Sequence, residues 1–182
     1  MTGVPETGVP VTGTAGSGPR AVLVGPPGSG KTTVGGLLAQ RWGVAARDTD
    51  ADIVAAQGRS IADLFLEDGE AHFRALEREA VAEALATHDG VLALGGGAVL
   101  DPGTRELLAG HRVVFLRVGL SDSVKRIGLG SGRPLLLGNV RSRIKALLDE
   151  RTPVYESVAS LVVETDGRDP EEIAREIEAA LA

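Results

Sequence analysis

Residues 25–32 read Gly-Pro-Pro-Gly-Ser-Gly-Lys-Thr and fit the pattern G-x-x-x-x-G-K-[ST] in full. Glycines at this spacing let backbone N–H groups curl around phosphate oxygens without side-chain clash. Lys31 can reach the outer phosphates, and the Thr32 hydroxyl suits Mg2+. The apolar run Ala21–Val24 precedes the loop and a helical pattern follows it, so the helix aims its positive end at the same point. A plain glycine turn before a helix is the alternative, but pattern and context agree on a nucleoside triphosphate. The motif does not separate a kinase from an ATPase or a switch.

Asp48, Asp50 and Asp52 follow at spacing two. On an extended chain, residues two apart share a side. If Val44–Thr49 is the neighbouring strand, its carboxyl end lies beside the phosphate loop. Phosphoryl transfer to an alcohol needs one group to help hold Mg2+ and another to accept or orient the hydroxyl proton. Asp48 and Asp50 can divide those roles. The other reading is a solvated acidic turn with Asp48 or Asp50 as a helix N-cap, and Asp52 is assigned to the helix's first turn.

Gly95, Gly96 and Gly97 stand together at a strand end. Such a run either brings backbone N–H donors against a ligand or makes a sharp loop with none. Residues 128–138 have the make-up of a mobile lid, with glycine hinges, Arg133 and the stiffening Pro134. On closure Arg133 would stabilise charge on a transferred group; an ordinary surface loop is the alternative. By residue type alone Arg74, Arg126, Arg151 and Arg168 read as solvated charge, and Glu77 as a helix-surface acid. Phe65, Phe73, Trp42 and Tyr155 read as packing.

The elements that must position these groups alternate. Strands are expected at Ala21–Val24, Val44–Thr49, Val91–Leu94, Val113–Val118 and Val158–Val163. Helices are expected over Thr32–Trp42, Ile61–Leu66 with Ser60 as cap, Glu70–Ala86, Pro102–Gly110, Ser121–Ile127, Val140–Arg151, and from Pro170 behind the Asp169 cap. Alternation of this kind implies an α/β fold with a mainly parallel sheet covered on both faces. Residues 1–19, with TGVP twice, read as a flexible tail outside a single domain of residues 20–182.

Composition narrows the partners. Nineteen basic against 25 acidic residues give a net charge of −6, a poor match to nucleic acid. Cysteine is absent, which excludes thiolate metal sites and a cysteine nucleophile; three histidines argue against a His-based metal site. No apolar run approaches the roughly 20 residues of a membrane span. A soluble, cytoplasmic protein is expected.

The segments GPPGSGKTTVG, DTDADI, GRSIADLFLEDGEAHFRALE, LALGGGAV, GRPLL and RTPVYE, in this order, closely resemble shikimate kinases from about Ala21 to the C-terminus. The phosphate loop is shared widely; FR-x-x-E with GGG and the RPL lid is far more specific. The resemblance implies a P-loop kinase with a five-stranded parallel sheet, using ATP and Mg2+ to phosphorylate the 3-hydroxyl of shikimate, in a monomer. It implies nucleotide contacts at Gly28, Ser29, Gly30, Lys31, Thr32 and Thr33, and at the lid residue Arg133. Arg126 would stack near adenine, and Arg168 would belong to the adenine-binding stretch Glu164–Pro170. Asp50 would bind the ring hydroxyls and serve as candidate base, with Asp48 near Mg2+ and its waters. Arg74 and Arg151 would hold the carboxylate, as guanidinium forks match carboxylate oxygens. Glu77 would orient Arg74, Phe65 and Phe73 would wall the pocket, and Gly96 and Gly97 would meet substrate through backbone. The rivals are another metabolite kinase of this fold, such as a gluconate kinase, and a non-catalytic nucleotide-binding regulator.

Overall fold

The computed structural model describes residues 18–131 and 137–182, with the side chains of residues 129–131 and 137–138 left aside. Its elements are β1 (Ala21–Val24), α1 (Lys31–Trp42), β2 (Ala46–Asp48), α2 (Thr49–Gln57), α3 (Ile61–Asp68), α4 (Glu70–Thr87), β3 (Val91–Ala93), α5 (Pro102–Leu108), β4 (Val113–Arg117), α6 (Leu120–Ser131), α7 (Leu137–Val158), β5 (Leu161–Glu164) and α8 (Pro170–Ala180). A 3-10 turn at Ala98–Leu100 links β3 to α5.

All strand pairs are parallel, in the order β2-β3-β1-β4-β5. The three central strands are almost wholly buried and correspondingly apolar, whereas β2 and β5 at the edges carry polar residues. Alternation along β1 sorts the core into two layers. Val22 and Val24 face a cluster with Val81, Leu85, Phe115 and Tyr155, under α4 and α7. Leu23 faces the other way, with Val34, Leu38, Ile173 and Ile177 of α1 and α8. Each such fully buried aliphatic side chain contributes roughly 1.5–3 kcal/mol. A third cluster, Ile53, Leu64 and Phe73, joins α2, α3 and α4.

Four expectations need correction. The second strand is only Ala46–Asp48, and β3 lies between it and β1, so it is an edge strand rather than the neighbour of the phosphate-loop strand. The chain turns helical at Thr49, because the Asp48 carboxylate caps α2 by accepting from the Asp50 and Ala51 N–H groups. Helix α6 starts at Leu120 and runs on to Ser131, and α7 starts at Leu137, so most of the expected lid segment is helical. Of that segment, Gly132–Leu136, including Arg133, lies outside the described residues. Helix α7 also continues past Pro153 to Val158 and delays β5 to Leu161. One proline removes a single backbone donor, and packing of Tyr155 and Val158 on the first core layer holds the helix together.

Candidate active site

The phosphate loop joins the end of β1 to α1. Gly28 and Gly30 take φ of 78° and 93°, backbone that side chains disfavour, and Gly30 caps a helix that has no side-chain cap. Lys31 folds back over the loop: its ammonium donates to the Gly25 carbonyl at 2.7 Å and the Pro26 carbonyl at 3.1 Å. Loss of water around it lowers its pKa to about 8, aided by Arg151 and opposed by Asp50 and Asp48. Ser29 is buried, while Thr32 and Thr33 are exposed at the start of the helix.

A cavity of about 340 Å³ runs from Gly28, Lys31 and Thr32 to Asp48, Asp50 and Gly96. Asp48 and Asp50 meet there, but for a different reason than strand alternation. Asp48 ends β2 in register with Ala93 of β3, and Asp50 sits in the first turn of α2. Burial pushes the Asp50 carboxyl up, with the Asp48 charge adding; Lys31 and Arg74 oppose. Asp50 Oδ1 is buried with no hydrogen-bond partner among the described residues, a position suited to a donor hydroxyl. Asp52 is a first-turn acid, paired with Arg47 at 2.6 Å.

Mg2+ fits this donor set. The exposed Thr32 hydroxyl and Asp48 line one cavity, and Asp48 uses Oδ1 for the cap, leaving Oδ2 for a cation or its water. Among the described residues no group of three or more His, Cys, Asp or Glu could hold a metal alone.

The triple glycine organises the other side. None of its residues has positive φ; space, not backbone freedom, demands glycine. A Cβ on Gly95 would lie 2.5 Å from Asp50 Oδ1, one on Gly96 3.4 Å from Arg151 Nη1, and one on Gly97 2.6 Å from both Arg74 Nη atoms. Gly95 and Gly97 thus leave room for Asp50 and Arg74, whereas at Gly96 the tightest neighbour is Pro27 Cδ at 3.1 Å, with Arg151 in ordinary contact. The Gly95 N–H donates to the buried Thr49 hydroxyl at 3.2 Å, while those of Gly96 and Gly97 find no acceptor among the described residues. Arg74 donates to Glu77 at 2.7 Å and lies 5.8 Å and 5.4 Å from the ring centroids of Phe65 and Phe73, which stand 4.7 Å apart. Glu77 is 2 % exposed, so it is no surface acid; burial raises its pKa and the Arg74 bond opposes this. Arg151 Nε is buried without a partner.

Arg126 donates to the Gly28 carbonyl at 3.1 Å and the Thr165 carbonyl at 2.9 Å, tying α6 to both the phosphate loop and the β5–α8 connection. Arg168 instead turns to the Glu164 carbonyl and to Glu176 of α8 at 2.6 Å. Two site residues escape sequence reasoning. Thr49 looks like a spacer between acids, and Tyr155 like core. The available signal for Tyr155 is its place four residues after Arg151, one helical turn on.

The nucleotide loop at the end of a central parallel strand, with acids and arginines gathered beyond it, places the chain among P-loop kinases of small metabolites. The family model for shikimate kinase matches residues 27–182. A shikimate kinase of Thermobifida fusca is 60% identical over 168 residues, covering 90% of this chain and 98% of its own. One from Salinispora arenicola is 60% identical over 164 residues, with the same coverage. The solved shikimate kinase of Acinetobacter baumannii, in complex with shikimate, superposes with a TM-score of 0.83 at 34% identity over 90% of this chain and 92% of that one. The chain belongs to the shikimate kinase family, and its activity is the ATP-dependent phosphorylation of shikimate. A gluconokinase of Sinorhizobium meliloti has a TM-score of 0.55 at 22% identity, a likeness of fold alone.

Proposed function

We propose that this site carries the γ-phosphoryl group of ATP in line to the 3-hydroxyl of shikimate, with the roles divided as follows. Gly28–Thr33 cradle the phosphates, and Lys31 answers the charge that spreads onto the outer oxygens. Arg133, outside the described residues, is assigned the same task from the lid. Thr32 and, through water, Asp48 would hold Mg2+, which when bound neutralises charge between the phosphates. Asp50 accepts the hydroxyl proton or orients it, as its buried, unpartnered oxygen allows. Arg74 and Arg151 hold the substrate carboxylate, Gly96 and Gly97 meet the ring through N–H groups, and Phe65 and Phe73 form an apolar wall. Arg126 and Arg168 belong to the adenine side. A monomer in the cytoplasm, without nucleic-acid or membrane partners, completes the reading.

The observation that carries it is the convergence of Asp50, Arg151 and Arg74 on three consecutive glycines beside the phosphate loop. Carboxylate, hydroxyl and phosphoryl donor are thereby served within one cleft, so most of the rate enhancement comes from positioning and fixed charge. ADP release from MgATP is measured with shikimate, with gluconate and with no acceptor. Turnover with shikimate alone is expected, and Asp50→Asn should lower kcat about 10²–10⁴-fold with ATP binding retained. Equal rates with gluconate, or an unaltered kcat in that variant, would refute the assignment.

A further inference from the structure

Tyr155 is fully buried, its ring 5.0 Å from that of Phe115 in the core. Phenylalanine would fill the same space, so packing does not account for the hydroxyl. That hydroxyl donates to the Gly96 carbonyl at 2.5 Å. The turn's other carbonyls are held by its own backbone: Gly95 accepts from the Ala98 N–H and Gly97 from the Leu100 N–H, both at 3.1 Å. The Gly96 carbonyl therefore depends on a side chain from α7. Three glycines in sequence have the widest rotational freedom a chain can have, so this tether matters more than it would elsewhere.

A peptide unit is planar and trans, and its C=O and N–H point in opposite directions. Holding the Gly96 carbonyl toward Tyr155 therefore aims the Gly97 N–H to the other side of the turn. Arg151 lies one turn earlier on α7, and its Nη1 stands 3.4 Å from the position of a Gly96 Cβ. Arg74 crowds the corresponding point on Gly97 at 2.6 Å. Rotation of the Gly96–Gly97 peptide would shift both guanidinium seats. Helix α7 supplies one arginine and also the group that fixes the surface on which it lies.

We infer that Tyr155 is a positioning residue for shikimate: its hydroxyl sets the Gly96–Gly97 peptide against which Arg151 and Arg74 are placed. This rests on the carboxylate-binding role proposed for those arginines. Tyr155→Phe keeps the ring and removes the hydroxyl, and with it both the tether to the Gly96 carbonyl and the contact of that hydroxyl with Arg151. With saturating MgATP, its KM and calorimetric Kd for shikimate should rise about 5-fold to 150-fold, the span for leaving one buried acceptor unpaired. Its kcat and its KM for ATP should stay within about threefold. Unchanged KM and Kd for shikimate, or a fall in kcat with Tm and no change in KM, would overturn the role. Tyr155 is the sole tyrosine, so 3-fluorotyrosine labels this ring alone and gives a test in a protein with its native contacts. Its fluorine resonance should move on saturation with shikimate and not with ADP; no movement with shikimate also overturns the inference. Wild-type turnover with shikimate is the control, and its failure would strike the carboxylate reading rather than Tyr155.

Discussion

Lys31 shows how a single side chain couples the site to pH. In the free protein its ammonium is drawn onto the Gly25 and Pro26 carbonyls, and loss of water lowers its pKa to about 8. Triphosphate oxygens favour the charged form, so ATP binding must raise that pKa again. The sign follows: affinity for ATP is full below about pH 8 and falls above it, by at most about tenfold per pH unit. Near pH 8 binding takes up protons. Calorimetry in buffers of different ionisation enthalpy reads this directly, and uptake should vanish in Lys31→Ala. Proton-neutral binding of ATP at pH 8 by the wild type would show that the Lys31 charge does not face the phosphates. Asp50 teaches a related lesson. Its identity was readable from residues 48–52, but the strand geometry invoked for it was not what the chain adopts. The Asp48 carboxylate captures two N–H groups and starts a helix, a local competition that extended-chain periodicity ignores.

Elements decide which distant residues share a task. Arg126 is 98 positions from Gly28 in sequence and still donates to its carbonyl, while its second Nη reaches the Thr165 carbonyl. The β5–α8 connection is pinned further, since Asp166 accepts from the Gly119 N–H at 2.9 Å and Asp122 from the Gly167 N–H at 2.9 Å. Two loops and α6 thus form one brace beside the phosphate loop. Arg126→Ala should raise the KM for ATP about fivefold to thirtyfold, from charge-assisted bonds lost at two carbonyls, with the KM for shikimate little changed. Steady-state kinetics varying each substrate in turn would show this; an unaltered KM for ATP would separate the brace from nucleotide binding. Helix α7 works likewise. By continuing through Pro153 it keeps Arg151 and Tyr155 on one face, which a helix ending at Arg151 would not do.

At the scale of the molecule, one sheet with two apolar layers holds the active-site loops at the carboxyl ends of its strands. Gly18, the first described residue, lies beside His111, and Pro19 is buried, so the expected tail boundary at residue 19 falls within the packed chain. We propose that residues 1–17 take no part in catalysis: their removal should leave kcat and both KM values within about twofold, and a larger loss in the truncated enzyme would assign them a role. No helix among the described residues is long and apolar enough to cross a membrane. The sequence by itself determined the phosphate loop and the α/β alternation, because these rest on local spacing and on motif chemistry. It also carried enough in FR-x-x-E, GGG and RTPVYE to indicate the family. Only the tertiary structure decided that β3 separates β2 from β1, that Glu77 is buried and bonded to Arg74, and that Gly95 and Gly97 leave room for Asp50 and Arg74. Those facts depend on contacts between segments tens of residues apart. Burial, charge and close approach arise from the space such segments share, and no single stretch of sequence contains that space.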